Sequence, residues 1–316
     1  MNEYADGQVS IHCGDALAVL REMPDESVQM CVTSPPYWGL RDYGVDGQLG
    51  MEKTPEEYVA RMVEVFREVR RVLRDDGTLW LNIGDTFSSG GRSTQVRDSF
   101  RDAASGKQAH LNGTAVRAAT PENCKPKDLV GIPWMLAFAL RADGWYLRSD
   151  IIWAKPNPMP ESVRDRCTKS HEYLFLLSKS ARYWYDADAI REASIHAGRV
   201  IDYDGNQKNN TVDPVLQRTR INTTTTVLDT RNKRDVWTIA TEPYPEAHFA
   251  VFPEKLVEPC ILAGCPEGGT VLDPFAGSGT TLAVAKRLCR RAIGIELNPE
   301  YIELAKHRVS QMGLFV

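Results

Sequence analysis

Apolar and polar positions along this chain switch repeatedly between a two-residue and a 3.6-residue period, and the switching predicts strands and helices in alternation. Residues 9–13 (VSIHC) form a short β-like run, and DALAVLREM after them reads as a short helix. VQMCVTS (28–34) is an apolar run that stops at two prolines. The spacing of Tyr58, Met62, Val65, Phe66, Val69 and Val72 puts them on one face of a helix over 55–73, with Pro55 in its first turn. TLWLNIG (78–84) reads as a buried strand. DLVGIPWMLAFALRADG reads as a helix capped by its leading Asp and ending near Gly144. WYLRSDIIWAK (145–155) and HEYLFLLSK (171–179) are two further strands.

The same alternation returns near the C-terminus. EKLVEPCILAGC (254–265) is helical, TVLDPF is a strand that runs into a turn, and TTLAVAKRLCRR is a helix. AIGIEL is a strand, and NPEYIELAKHRV is a helix capped by Asn298. Strand–helix alternation of this kind predicts a mostly parallel, doubly wound α/β sheet. With 316 residues, 42% of them hydrophobic, the chain is long enough for one large core of that type.

Two polar stretches interrupt the pattern. Residues 86–127 carry seven Lys/Arg against three acids, while the whole chain has a net charge of −4. Contact with an anionic polymer is therefore expected to be local. Residues 192–236 form a second irregular stretch. The expected layout is one catalytic domain, 1–191 and 237–316, with a mobile basic insertion at 86–127 and a separate region at 192–236. Long irregular segments inside a compact domain are usually functional or mobile. The seven cysteines are scattered without a CxxC pair, which reads as reduced thiols rather than a disulfide frame. The six histidines show no paired spacing, so no metal site is expected. No signal pattern or membrane-length apolar run is present, and a cytoplasmic setting is expected.

Residues 273–281 read DPFAGSGTT between a strand and a helix. Gly277 and Gly279 let backbone approach a ligand closely. The loop is neither GxGxxG, since position 282 is Leu282, nor a P-loop, so it is not built for pyrophosphate. Asp273 suits an ammonium or sulfonium group, and Glu296 ends the next strand where an acid accepts from ribose hydroxyls. A tight turn that binds nothing is the alternative for the glycines alone. Residues 33–38 read TSPPYW. Two prolines fix φ and remove two donors, leaving a rigid run of acceptors. Ser34 Oγ and the Pro35 carbonyl could hold an exocyclic amine, and Tyr37 offers a face for a flipped base. A proline turn closing a strand is the alternative there.

Together the two motifs resemble the amino-group DNA methyltransferases, in the subgroup whose catalytic motif precedes the cofactor motif (the β order). HCGDAL (12–17), KRDVWTIAT (233–241), HFAVFPEKL (248–256) and IIWAKPNPMPES (151–162) resemble further segments of that family. The resemblance implies a seven-stranded Rossmann-like methyltransferase sheet in permuted motif order. It implies S-adenosyl-L-methionine as cofactor, with contacts from Asp15, Thr33, Asp273, Pro274, Phe275, Gly277, Ser278, Gly279, Thr280, Glu296 and Phe249. It implies catalysis by Ser34, Pro35, Pro36 and Tyr37 on duplex DNA, with residues 192–236 in the target-recognition position.

Arg92, Arg97, Arg101, Arg218, Arg220 and Arg231 are the candidate DNA contacts, mostly to phosphates. Lys155 and Asn157 line the base pocket or form a surface turn. Within the resembling family adenine-N6 members usually carry Asp or Asn at the position of Ser34 and cytosine-N4 members usually carry Ser, so the resemblance favours cytosine N4 as the target. Adenine N6, an RNA or protein-amide substrate, and an inactive DNA-binding homologue remain open. A cognate restriction endonuclease is a possible partner, and the oligomeric state is not legible.

Overall fold

The computed structural model describes residues 2–42, 45, 47–88, 114–115, 121, 123–195, 197–198, 200–203, 223–226, 228–242 and 252–311. Among them, nine strands form one sheet: β1 (Asn2–Ala5), β2 (Val9–Cys13), β3 (Val28–Thr33), β4 (Leu73–Ile83), β5 (Tyr146–Ala154), β6 (His171–Ser178), β7 (Val236–Thr238), β8 (Thr270–Asp273) and β9 (Arg291–Glu296). Their order is β1-β2-β9-β8-β3-β4-β6-β5-β7. From β2 to β4 every neighbour is parallel. β6 is antiparallel to both β4 and β5, β1 is antiparallel to β2, and β7 is parallel to β5.

The doubly wound α/β class holds, but the sheet has nine strands rather than seven. The two additions are its edges. β1 spans four residues and β7 three, too few for a period to register in the sequence. At one end the spatial order reverses the chain order, with β6 lying between β4 and β5. β6 buries its last five residues in succession, whereas β5 alternates exposed and half-buried positions over most of its length. A continuously apolar strand takes the covered position and an alternating one the flank.

Helices α1 (Ala16–Glu22), α2 (Pro55–Val72) and α3 (Ile132–Ala142) pack side by side as one layer. Helices α4 (Glu254–Gly264), α5 (Thr280–Arg287) and α6 (Pro299–Gln311) form another. The alternation of β4 separates the two. Leu79, Leu81 and Ile83 join the cluster with α1–α3, while Trp80 meets α4. All six apolar positions predicted for α2 are buried, and Thr54 caps it, accepting from Glu57 N at 3.1 Å. The cap expected for α3 is corrected. Asp128 lies upstream of the helix, Gly131 is the N-cap residue, and the carboxylate of Asp85 accepts from Gly131 N and Ile132 N. Asp85 follows β4, so a neighbouring element supplies the cap that the local sequence suggested.

All seven cysteines are free thiols. Among the described residues no helix is long and apolar enough to cross a membrane. Residues Ala187–Arg234 form a unit separate from the rest. Within it, Glu192–Ala193 pairs antiparallel with Thr230–Arg231, and Val200–Tyr203 with Thr223–Thr226.

Candidate active site

Parallel strands deliver their carboxyl ends to one edge of a sheet, where loops collect. β3 ends at Thr33 and passes into Ser34-Pro35-Pro36-Tyr37, and β8 ends at Asp273 and passes into the glycine turn. The two strands are neighbours, with Val271 opposite Met30 and Leu272 opposite Cys31. Loops 240 residues apart therefore face one cavity of 320 Å³. Ser34, Pro35, Pro36 and Tyr37 line it, as do Asp15, Pro274, Phe275, Gly277, Ser278, Thr280 and Glu296. Thr33, Asp273 and Gly279 stand behind its wall. Phe249, Arg92, Arg97, Arg101, Arg218 and Arg220 lie outside the described residues, as does most of 86–127 whose mobility was expected. Arg231 is described, and its Nε donates to Glu192 Oε1 at 2.8 Å, sharing that carboxylate with Arg234.

Asp273 differs from its expectation. It is fully buried, its Oδ1 accepts from Thr33 Oγ1 at 2.6 Å and Phe275 N at 3.1 Å, and its Oδ2 accepts from Thr281 Oγ1 at 2.6 Å. The carboxylate ties the two loops together and faces hydroxyls rather than the cavity. Burial pushes its pKa up to about 6, against the pull of those hydrogen bonds. Glu296 does face the cavity. Its two oxygens accept from Gly277 N and Asn298 N, each at 2.8 Å, and burial raises its pKa. Asp15 lines the cavity while capping α1, accepting from Ala18 N at 2.9 Å.

The glycine turn is shaped from behind. Gly279 has φ +79°, and a Cβ there would stand 2.8 Å from Ala305 Cβ. Arg308 of α6 donates to Ser278 Oγ at 3.3 Å and to Thr280 Oγ1. No pattern in the loop itself announces Arg308.

The opposite wall is a hydrogen-bonded network. Tyr37 Oη donates to Glu172 Oε2 at 2.8 Å. Ser34 Oγ is 3.2 Å from Asn82 Oδ1 and 3.4 Å from Tyr37 Oη. Asn82 Nδ2 donates to the Tyr173 carbonyl at 3.1 Å and toward Glu172 Oε2 at 3.3 Å. Lys155 pairs with Glu172 Oε1, and its Nζ lies 4.2 Å from the centroid of the Trp153 ring. Burial, then the Glu172 charge, hold the Tyr37 phenol well above its ordinary pKa, so it remains a neutral donor. Gly84 is required beside it, since a Cβ there would meet Tyr37 Cε2 at 2.7 Å.

Asn82, Glu172, Trp153 and Phe252 also line the cavity, and sequence reasoning did not single them out. Two of them carry a signal in retrospect. Asn82 is the polar residue inside the apolar run TLWLNIG, and Glu172 is the acid at the head of HEYLFLLSK. Lys155 lines the cavity, which decides between its two readings; Asn157 is absent from the lining. Among the described cavity residues, Asp15, Glu172, Glu242 and Glu296 outnumber Lys155, which already has an acidic partner. That balance fits a cationic, phosphate-free ligand carrying hydroxyls. The residues present thus fit S-adenosyl-L-methionine.

The sequence profile of the N6/N4-type DNA methylase family matches residues 28–307. The chain is 49% identical to the Type II methyltransferase M.Cfr9I of Citrobacter freundii over 94% of its own length and 86% of the relative's. It superposes on the PvuII cytosine-N4-specific DNA methyltransferase with a TM-score of 0.65 at 18% identity, covering 99% of this chain and 92% of that one. It also superposes on a Thermus thermophilus protein described as a putative DNA modification methylase and solved with S-adenosyl-L-methionine. There the TM-score is 0.57 at 25% identity, covering 96% and 93%.

Proposed function

This chain belongs to the N6/N4 DNA methylase family, and from that premise we propose that it methylates the exocyclic N4 amine of cytosine in duplex DNA. It is a DNA methyltransferase that uses S-adenosyl-L-methionine. When bound, that cofactor supplies a methyl group on a positively charged sulfur. Glu296 and Asp15 would receive its hydroxyls and adenine. Phe275 and the Gly277–Thr280 turn would pack against its body.

The observation that carries the amino-group chemistry is the state of Ser34. Its single O–H points to Asn82 Oδ1 or Tyr37 Oη, so its lone pairs are left to accept from an amine. No donor among the described residues reaches the Pro35 carbonyl, which supplies a second acceptor. The Pro36 carbonyl is taken by Tyr58 Oη at 2.8 Å, and that bond braces the turn from behind. Two acceptors on one NH₂ group draw its lone pair out of conjugation with the ring and make it nucleophilic. The proton that the amine then gives up has a hydroxyl route. Ser34 Oγ takes it and passes its own proton to Tyr37 Oη, 3.4 Å away. Tyr37 in turn passes its proton to Glu172 Oε2 at 2.8 Å.

An adenine-N6 enzyme would use the same two acceptors. The hydroxyl of Ser34, where the N6 members of the resembling family carry Asp or Asn, favours cytosine. The test is to methylate DNA with isotopically labelled S-adenosyl-L-methionine, digest it to nucleosides and identify the labelled one by mass. N4-methylcytosine is expected, and N6-methyladenine would overturn the assignment. The unit Ala187–Arg234 is proposed to read the DNA sequence, with a restriction endonuclease of matching specificity as the partner system.

A further inference from the structure

The loop from Lys155 to Glu172 leaves the cavity wall and returns to it, since both of its end residues line the cavity. It is firmly built. Lys155 N donates to the Ser170 carbonyl at 2.7 Å and closes its base. Asn157 and Thr241 bond reciprocally, at 2.9 and 3.2 Å, and Thr241 is itself part of the cavity wall. Further along, Glu161 binds Arg166 at 2.7 Å and accepts from Lys169 N at 3.1 Å, while the Arg166 guanidinium lies 3.9 Å from the centroid of the Phe87 ring.

In the middle of this braced loop stands Met159, 86% exposed. It is the most exposed large apolar side chain among the described residues. Pro158 and Pro160 flank it and fix the backbone that carries it. Only Pro158 separates it from Asn157, so it stands within about 7 Å of chain from a residue whose bonding partner, Thr241, lines the cavity. A long, unbranched and polarisable side chain held out to solvent on a stiff mount has no packing role in the protein.

We propose that Met159 is the wedge that enters the DNA duplex beside the target and fills the gap left when the base turns into the cavity. Apolar side chains, methionine and proline among them, are the groups that unstack base steps. Here the wedge and the pocket share one loop, so inserting the one and receiving the base in the other are a single docking event. Arg164, five residues further on, is exposed on the same loop. The inference rests on the proposed methylation of a base in duplex DNA, which requires that base to leave its stack, and names the residue that drives the step.

The experiment compares wild type, Met159→Gly and Met159→Leu on duplexes carrying a mapped methylation site. The target base is fully paired in one duplex and opposite an abasic position in the other. A wedge supplies energy only where pairing and stacking resist. Met159→Gly is therefore expected to slow methyl transfer about tenfold or more on the paired duplex and to stay within about twofold of wild type on the abasic one. Met159→Leu is expected to keep most of the activity on both. Equal losses on the two duplexes, or no loss on the paired one, would overturn the proposal. A fluorescent base analogue at the target position separates this from failure of the underlying route. No fluorescence rise with wild type removes flipping itself. A rise that Met159→Gly leaves unchanged removes only the wedge.

Discussion

The two walls of the cavity solve opposite problems. The wall that ends β8 is packed and spent: Asp273 is fully buried with both oxygens engaged, and Gly279 touches Ala305 so closely that no side chain fits. The wall that ends β3 is a polar network whose members keep capacity in reserve: Ser34 and Pro35 line the cavity, and no donor among the described residues takes the Ser34 hydroxyl oxygen or the Pro35 carbonyl. A site that binds one ligand tightly and presents it to another needs a rigid side and a side with unspent hydrogen bonds. The comparison implies that damage to the first wall should appear in cofactor binding and stability. Damage to the second should appear in turnover alone.

The sharpest break is Ser34→Ala. It is expected to lower the methylation rate about 10³-fold while leaving the affinity for S-adenosyl-L-methionine, measured by calorimetry, unchanged. A matching loss of cofactor affinity would mean the walls are not separable.

On the packed side, Asp273 offers a pH test. Its pKa is raised from 3.8 to about 6 in the fold, so the folded state holds this proton more tightly than the unfolded one. That contribution is fully present below pH 3.8 and is lost as the pH rises through about 6, a change of about 3 kcal/mol. Asp273→Asn removes it. The stability difference between Asp273→Asn and wild type, followed by urea midpoint, should shift in favour of the variant between about pH 4 and 7. A flat difference would place the carboxylate in a more solvated setting.

Gly279→Ala forces a Cβ against Ala305 and is expected to cost about 2 kcal/mol in stability, with weakened cofactor binding in the same assay. The smallest expected effect is Glu172→Gln. It removes the charge that pairs with Lys155 and receives from Tyr37, and should lower turnover about tenfold with cofactor affinity intact. If cofactor affinity fell instead, Glu172 would belong to the packed wall.

Most of the sheet was legible because long apolar runs such as 28–33 and 78–83 carry their own period. The edge strands β1 and β7 were not, being too short to show a repeat. The two loops could be found because prolines and glycines have unusual backbone requirements that show in one-dimensional text. Asn82 and Glu172 were hidden for a different reason. They belong to strands whose antiparallel pairing sets Ile83 opposite Tyr173 and Asn82 opposite Leu174, and nothing local to either strand foretells that meeting. Asp85 escaped in the same way, since it caps a helix 46 residues downstream. Asp273 was found as a residue, but the sequence could not tell a carboxylate aimed into a cavity from one turned away behind it.

The adjacency of β3 and β8 has a consequence during synthesis. A chain emerging from the ribosome exposes Ser34-Pro35-Pro36-Tyr37 early, yet the strand that must lie beside it is translated some 240 residues later. Until then half of the cleft does not exist, and the nascent polypeptide cannot modify any nucleic acid it meets. Enzymatic competence therefore cannot precede the synthesis of β8 and the glycine turn behind it.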